Sequence, residues 1–372
     1  QVPEAIAIVT IIASGVTNQT ITLEAGYFGP VWHVATTGSD ETGDGSEQNP
    51  FATIQYGIDK TQEHDSLFVH AGTYVENIIL SKDIVVSGQN EETTIIDGGS
   101  NGVVVEINGD ENYIIIEIRR FTIKNGYNWN EKGGGIKSEN FVKITDLIVT
   151  ENYSENGAGI YLRDGNPIIK NVHVMNNEAE DNGGGIYIQN CNPLMESVII
   201  NDNNASQEGG GILSINSSPI MHNMIIKNNT TNDYGGGACF FSSSVEFHNS
   251  LILNNESATG GISLYDQSSL VMVSSNVLGN ISTQDDEGGG IHLYDDSDVN
   301  IVSTIIRNNL PFEININDDN NSISVDYSNV LGGESGIHIN ENFQNQEIVW
   351  GTNNIDSNPL FCNPDSGDYT LA

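Results

Sequence analysis

The sequence predicts an all-β chain wound as a single-stranded parallel β-helix, and three observations carry that expectation. A glycine cluster followed by an apolar residue returns at a near-constant interval, short alternating strands with no helical pattern between them fill each interval, and an asparagine recurs just after the second strand. Parallel strands joined without helices at a fixed period stack as coils, each rising ~4.8 Å on the last.

The glycine clusters place Ile136, Ile160, Ile186, Ile212, Ala238, Ile262 and Ile291 at spacings of 24, 26, 26, 26, 24 and 29 residues. Ile337 closes the series, and its gap of 46 from Ile291 halves to 23 if Ile314 marks a turn without glycine. Within a unit, Ile186, Tyr187 and Ile188 alternate as a strand, Pro193 marks a turn, residues 194–200 form a second strand, and an Asn-rich turn follows. Asn152, Asn177, Asn203, Asn229 and Asn255 lie 25, 26, 26 and 26 apart, which predicts a stacked amide ladder satisfying the backbone at a bend.

Four regions follow along the chain. Residues 1–31 form a strand-like N-terminal segment, apolar over 5–12 and 20–28, expected to lie over the coils or to pair with a neighbouring molecule by strand addition. Residues 32–65 read as an opening strand, a loop and a capping helix, with Pro50 suiting the helix start and Phe51, Ile54 and Ile58 on one face to plug the open end of the solenoid. Residues 66–350 carry the coils, and residues 351–372 form a C-terminal tail. The chain begins at Gln1 without a charged leader, so it is expected to be a processed or partial piece of a longer protein.

The coil pattern Asn166-Pro167-Ile168 through Asn177 followed by Gly183-Gly184-Gly185-Ile186 resembles bacterial extracellular β-helix repeat proteins of the pectate-lyase-like superfamily, of the surface-anchored type. The opening, Val34-Ala35-Thr36-Thr37-Gly38-Ser39-Asp40 with Gly43-Asp44-Gly45-Ser46 and then Asn49-Pro50-Phe51-Ala52-Thr53-Ile54-Gln55, is similar to the same group. So is the run from Asn358-Pro359-Leu360-Phe361 to Gly367-Asp368-Tyr369, after which the group usually continues; the likeness spans residues 32–372. It implies a right-handed helix, an N-terminal cap and an extracellular or cell-surface location. The group holds polysaccharide lyases, adhesins and surface-anchored proteins, so it does not choose an activity.

Composition narrows the partners. Twelve Lys and Arg against 50 Asp and Glu give a net charge of −38, which repels nucleic acid and acidic lipid surfaces. No stretch approaches the roughly 18 to 20 apolar residues of a membrane-spanning helix. Cys191, Cys239 and Cys362 have neither the number nor the spacing of a disulfide framework or a zinc site.

Alternation turns one row of side chains outward: Tyr161, Tyr187, Leu213, Ile215, Phe241, Tyr265 and Tyr294. Such a stripe exceeds the apolar patch a monomer ordinarily exposes, so it reads as a platform for sugar rings, with His292 and Arg163 as polar handles, or as a docking face for another surface protein. Cover by the N-terminal segment is the competing expectation.

A carboxylate precedes each glycine cluster, among them Asp181, Glu208 and Asp233, and stacking would bring these like charges together. Calcium would relieve the repulsion, and Asp40, Asp44 and Glu47 form a second oxygen-only candidate for Ca²⁺.

Eight of the 12 basic residues fall between Arg119 and Lys170. Lys137 or Arg163 is the candidate base if the chain is a calcium-dependent polyuronate lyase. The residue patterns of inverting polygalacturonases and pectate lyases are missing. The leading expectation is a secreted or cell-surface protein with an adhesive, structural or carbohydrate-binding role and no catalysis. The alternatives are the lyase and a self-assembling extracellular filament subunit.

Overall fold

A computed structural model of the chain describes residues 30–108, 116–343, 345–363 and 368–371. The segment expected to cover the coils or a neighbour lies, up to residue 29, outside the described residues.

Among those residues the chain is a parallel β-solenoid. An 11-stranded sheet runs from the strand Ile78–Leu80 to Ile337–Ile339, a 21-stranded sheet wraps the remaining core, and a 7-stranded sheet of short strands runs from Tyr127–Lys132 to Ile281–Ser282. One coil shows how the path is made. Ile186–Gln189 lies in the first sheet; Leu194–Glu196 and Ile199–Asn201 lie in the second; Asn204–Ala205 lies in the third. Left-handed residues turn the corners between them, at Asn190, Ser197, Asp202 and Gly209. Asn, Asp, Ser and Gly supply these positions because a short polar or absent side chain tolerates positive φ best.

The register follows the predicted period. Ile160, Ile186, Ile212, Ala238, Ile262, Ile291, Ile314 and Ile337 pair in one continuous row, so the unit at Ile314 is a full coil lacking its glycines. All but Ile337 are wholly buried, and each buried isoleucine contributes about 1.5–3 kcal/mol.

The asparagine ladder forms and extends past its predicted end. Each amide donates to the next, from Asn152 through Asn177, Asn203, Asn229, Asn255 and Asn280 to Asn309, at 2.9–3.0 Å. Each Oδ1 also takes the backbone N–H of the Asn one coil earlier. Two corners carry hydroxyl ladders as well, such as Ser217 to Ser243 to Ser268.

The helix, Ile54–Lys60, caps the first coils, with Phe51, Ile54 and Ile58 buried. It begins four residues after Pro50, not at it. The start is set instead by carboxylates: Glu76 accepts the N–H groups of Ile54 and Gln55 at 2.8 and 3.0 Å, and Asp40 accepts those of Ala52 and Thr53. At the far end Phe361–Asn363 and Asp368–Leu371 form an antiparallel pair.

Candidate functional site

The predicted outward row is where alternation puts it, yet most of it is closed. Lys137, Tyr161, Tyr187, Leu213, Cys239, Ser263 and His292 stand in register across successive coils. Tyr161 is 0% exposed and Tyr187 6%, and Leu213, Cys239 and His292 are buried with them. The cover is the chain's own turn. The first glycines Gly133, Gly157, Gly183, Gly209 and Gly235 fold back onto this row, so that a Cβ on Gly157 would stand 3.0 Å from the Cβ atoms of both Tyr161 and Tyr187. The residue before the cluster then caps the ring: the Lys132 ammonium sits 5.2 Å from the Tyr161 ring centre, and the Tyr234 ring lies 4.9 Å from Tyr265. Burial pushes the Tyr161 and Tyr187 hydroxyls up to about 12 and the His292 imidazole down to about 4.

The expectation of an open platform is therefore corrected for Tyr161, Tyr187 and Tyr265, which belong to a second apolar core outside the sheet, and for His292, which is buried beside Tyr265. Phe241, Tyr294 and Ile215 remain partly exposed at its margin, with Phe241 stacked on Tyr265 at 5.1 Å.

The candidate bases are ion-paired. Lys137 Nζ lies 3.5 Å from Glu106, and Arg163 pairs with Glu139 at 2.8 Å and Asp164 at 3.4 Å. Lys143 and Arg119 converge on Glu117.

Several calcium candidates are held by donors of the chain itself. Asp40 is engaged by the helix start and the Thr53 hydroxyl, Asp44 takes the Ser46 N–H, and Asp181 takes the Gln207 amide at 2.8 Å. Glu47 is close enough to His33 to be felt electrostatically. Glu208 and Asp233 do feel one another; burial first, then Asp233 and Asp266, push the Glu208 carboxyl upward. Among the described residues no three His, Cys, Asp or Glu side chains converge as a metal site requires.

A different aromatic group is open. Tyr127 and Trp129, from the strand Tyr127–Lys132, and Tyr153, from Tyr153–Asn156, form three near-parallel rings with centres 5.0–6.5 Å apart and planes within 14–29°. Tyr127 is 41% and Trp129 51% exposed. The sequence held a signal: Tyr127 and Tyr153 are 26 residues apart, one coil, and Trp129 follows Tyr127 by two positions on the same face. Glu178 is the next residue in the row after Tyr153; burial first, then Glu180, pushes the Tyr153 hydroxyl upward. Glu180 Oε2 and Asn182 Oδ1 are buried acceptors with no hydrogen-bond partner.

Residues 169–284 match the family described as the right handed beta helix region. No curated protein sequence matches the chain. Among solved structures, the Dettilon tailspike protein is similar at 12% identity and a TM-score of 0.56, over 87% of this chain and 66% of that one, just under two thirds of its length. Pectate lyase Pel9A is similar at 12% identity and a TM-score of 0.48, over 94% of this chain and 86% of that one, and carrot pectin methylesterase at 12% and 0.43, over 94% and 100%. Identities this low are likenesses of fold. The chain is a parallel β-helix with a repeating three-sided coil, and its residues 169–284 match the right handed beta helix family.

Proposed function

We propose that this is a non-catalytic, glycan-binding β-helix that works at the cell exterior, with sugar rings held on Tyr127, Trp129 and Tyr153. The exposed ring cluster carries this reading. Aromatic faces bind the apolar faces of pyranose rings, and half-exposed Trp and Tyr side chains already aligned within 29° pay little ordering entropy. The absence of catalysis is supported by Lys137 and Arg163, whose charges are committed to Glu106, Glu139 and Asp164. A base of a polyuronate lyase would first have to leave those partners.

The test is retardation in gels containing immobilised polysaccharides, with the wild-type chain, Trp129→Ala and Tyr153→Ala compared. Retardation by at least one polysaccharide that falls about tenfold in affinity in both variants, with unchanged unfolding midpoints, is the expected result. Retardation indifferent to both substitutions, or accumulation of unsaturated uronate product from a polyuronate, overturns the reading.

A further inference from the structure

The surroundings of the ring cluster specify more than a generic sugar. Carboxylates flank it on the next coil. Glu178 continues the row of Tyr127 and Tyr153, and Glu180 interacts with the Tyr153 hydroxyl. The nearby cations are turned elsewhere. Lys132 donates to the Tyr161 hydroxyl at 3.3 Å and lies over the Tyr161 and Tyr187 rings, Lys124 faces Asp97, and Lys137 faces Glu106. A uronate would meet carboxylates here and no free cation. A protonated amine meets both of its preferred surroundings at once, aromatic faces and carboxylates.

Building on the glycan-binding reading above, we infer that the cluster selects a glycan bearing protonated amines, of the glucosamine type. Its pyranose rings lie against Trp129 and Tyr153, and its ammonium lies by Glu178 and Glu180. Net charge −38 adds long-range attraction for such a cation, but that attraction is spread over the surface and screened by salt, whereas the ring contact is local.

The experiment is calorimetric titration at about physiological ionic strength, where the screening length is about 8 Å. The probes are the glucosamine trisaccharide, its fully N-acetylated counterpart, a neutral glucose trisaccharide and the galacturonate trisaccharide. The glucosamine trisaccharide is expected to bind at least tenfold tighter than the other three. Trp129→Ala should abolish binding, and Glu180→Gln and Glu178→Gln should each remove most of the preference over the N-acetylated sugar. Glu246→Gln, at an exposed position of the large sheet, should change nothing. Equal or tighter binding of the acetylated or neutral sugar, still lost in Trp129→Ala, overturns the ammonium inference and leaves glycan binding standing. Glucosamine binding that survives Trp129→Ala, or falls as much in Glu246→Gln as in Glu180→Gln, is diffuse attraction to an acidic surface and overturns the inference with it. No binding of any of the four overturns both.

Discussion

Asn309 ends the asparagine ladder on Glu313: one carboxylate oxygen takes the Asn309 side-chain amide at 2.6 Å and its backbone N–H at 3.2 Å. The ladder is directional, since each amide donates toward the C-terminus, so its last member needs a group that only accepts. Glu313 stands in register with Gly290, the third glycine of the preceding cluster. Elsewhere that third glycine is needed because a Cβ would press on the ladder, within 2.9 Å of the Asn309 amide at Gly290 and 3.0 Å of the Asn229 amide at Gly211. Where the ladder stops, the space is given to its terminating carboxylate.

Glu313→Ala leaves the Asn309 donors buried and unpaired. It should lower stability by about 1–3 kcal/mol, read as a fall in the denaturant midpoint, with Glu313→Gln losing less because its carbonyl still accepts one bond. An unchanged midpoint in Glu313→Ala would mean the ladder needs no terminator.

The two kinds of glycine separate in the same assay. An alanine at Gly211 would put its Cβ 2.4 Å from the Gly237 carbonyl oxygen, so backbone must move, and the loss should exceed about 3 kcal/mol. Gly333 has φ +61° but nothing within 4 Å, so Gly333→Ala should lose only about 1 kcal/mol of backbone strain.

Tyr187 and Trp129 should behave as opposites. Tyr187→Ala empties a site in the second core and should lose about 3–5 kcal/mol, whereas Trp129→Ala removes a half-exposed ring and should stay within about 1 kcal/mol. Thermal unfolding of the two variants side by side gives the comparison.

Stability should peak on the mildly acid side of neutrality. Burial raises the Glu76, Glu208 and Glu313 carboxyls above the ordinary glutamate value of 4.5, so the folded chain binds more protons than the unfolded one. Their contribution is full below about 4.5 and is lost as pH rises through the raised values. His292 has the opposite sign: with its imidazole lowered from 6.5 to about 4, stability is lost as pH falls from 6.5 toward 4. Asp44 and Asp356, held low by hydrogen bonds from Ser46 and Arg307, add to the loss on the acid side. Unfolding midpoints across pH 4 to 8 should show a maximum between these limits. Glu208→Gln should flatten the alkaline limb. His292→Asn, the residue that Asn315 supplies one coil later, should flatten the acid limb.

The repeat was legible because its causes are local. Glycine clusters, Asn152 through Asn255 and the glycine-less unit at Ile314 each mark a backbone need that recurs once per coil. The site was less legible. Alternation says that Tyr161 and Tyr187 leave the sheet on its outer side, but it says nothing of what another part of the coil lays over them. That cover came from the first-glycine turn, whose reach depends on three-dimensional path. The helix start was missed at Pro50 because the caps, Glu76 and Asp40, come from outside the helix. The open rings are less legible for a different reason: they come from strands of different coils, Tyr127–Lys132 and Tyr153–Asn156, and meet only when the coil period is applied to them.

The most direct measurement is acrylamide quenching of tryptophan fluorescence during titration with the sugar that binds, in the wild-type chain and in Trp129→Phe. Trp32 and Trp350 pack against the core, so the half-exposed Trp129 supplies most of the quenchable emission. Glycan binding on the ring cluster should protect that emission in step with the calorimetric isotherm, and the protection should vanish in Trp129→Phe. Saturation by calorimetry with quenching unchanged, or protection that persists without Trp129, would place the ligand elsewhere and contradict the account.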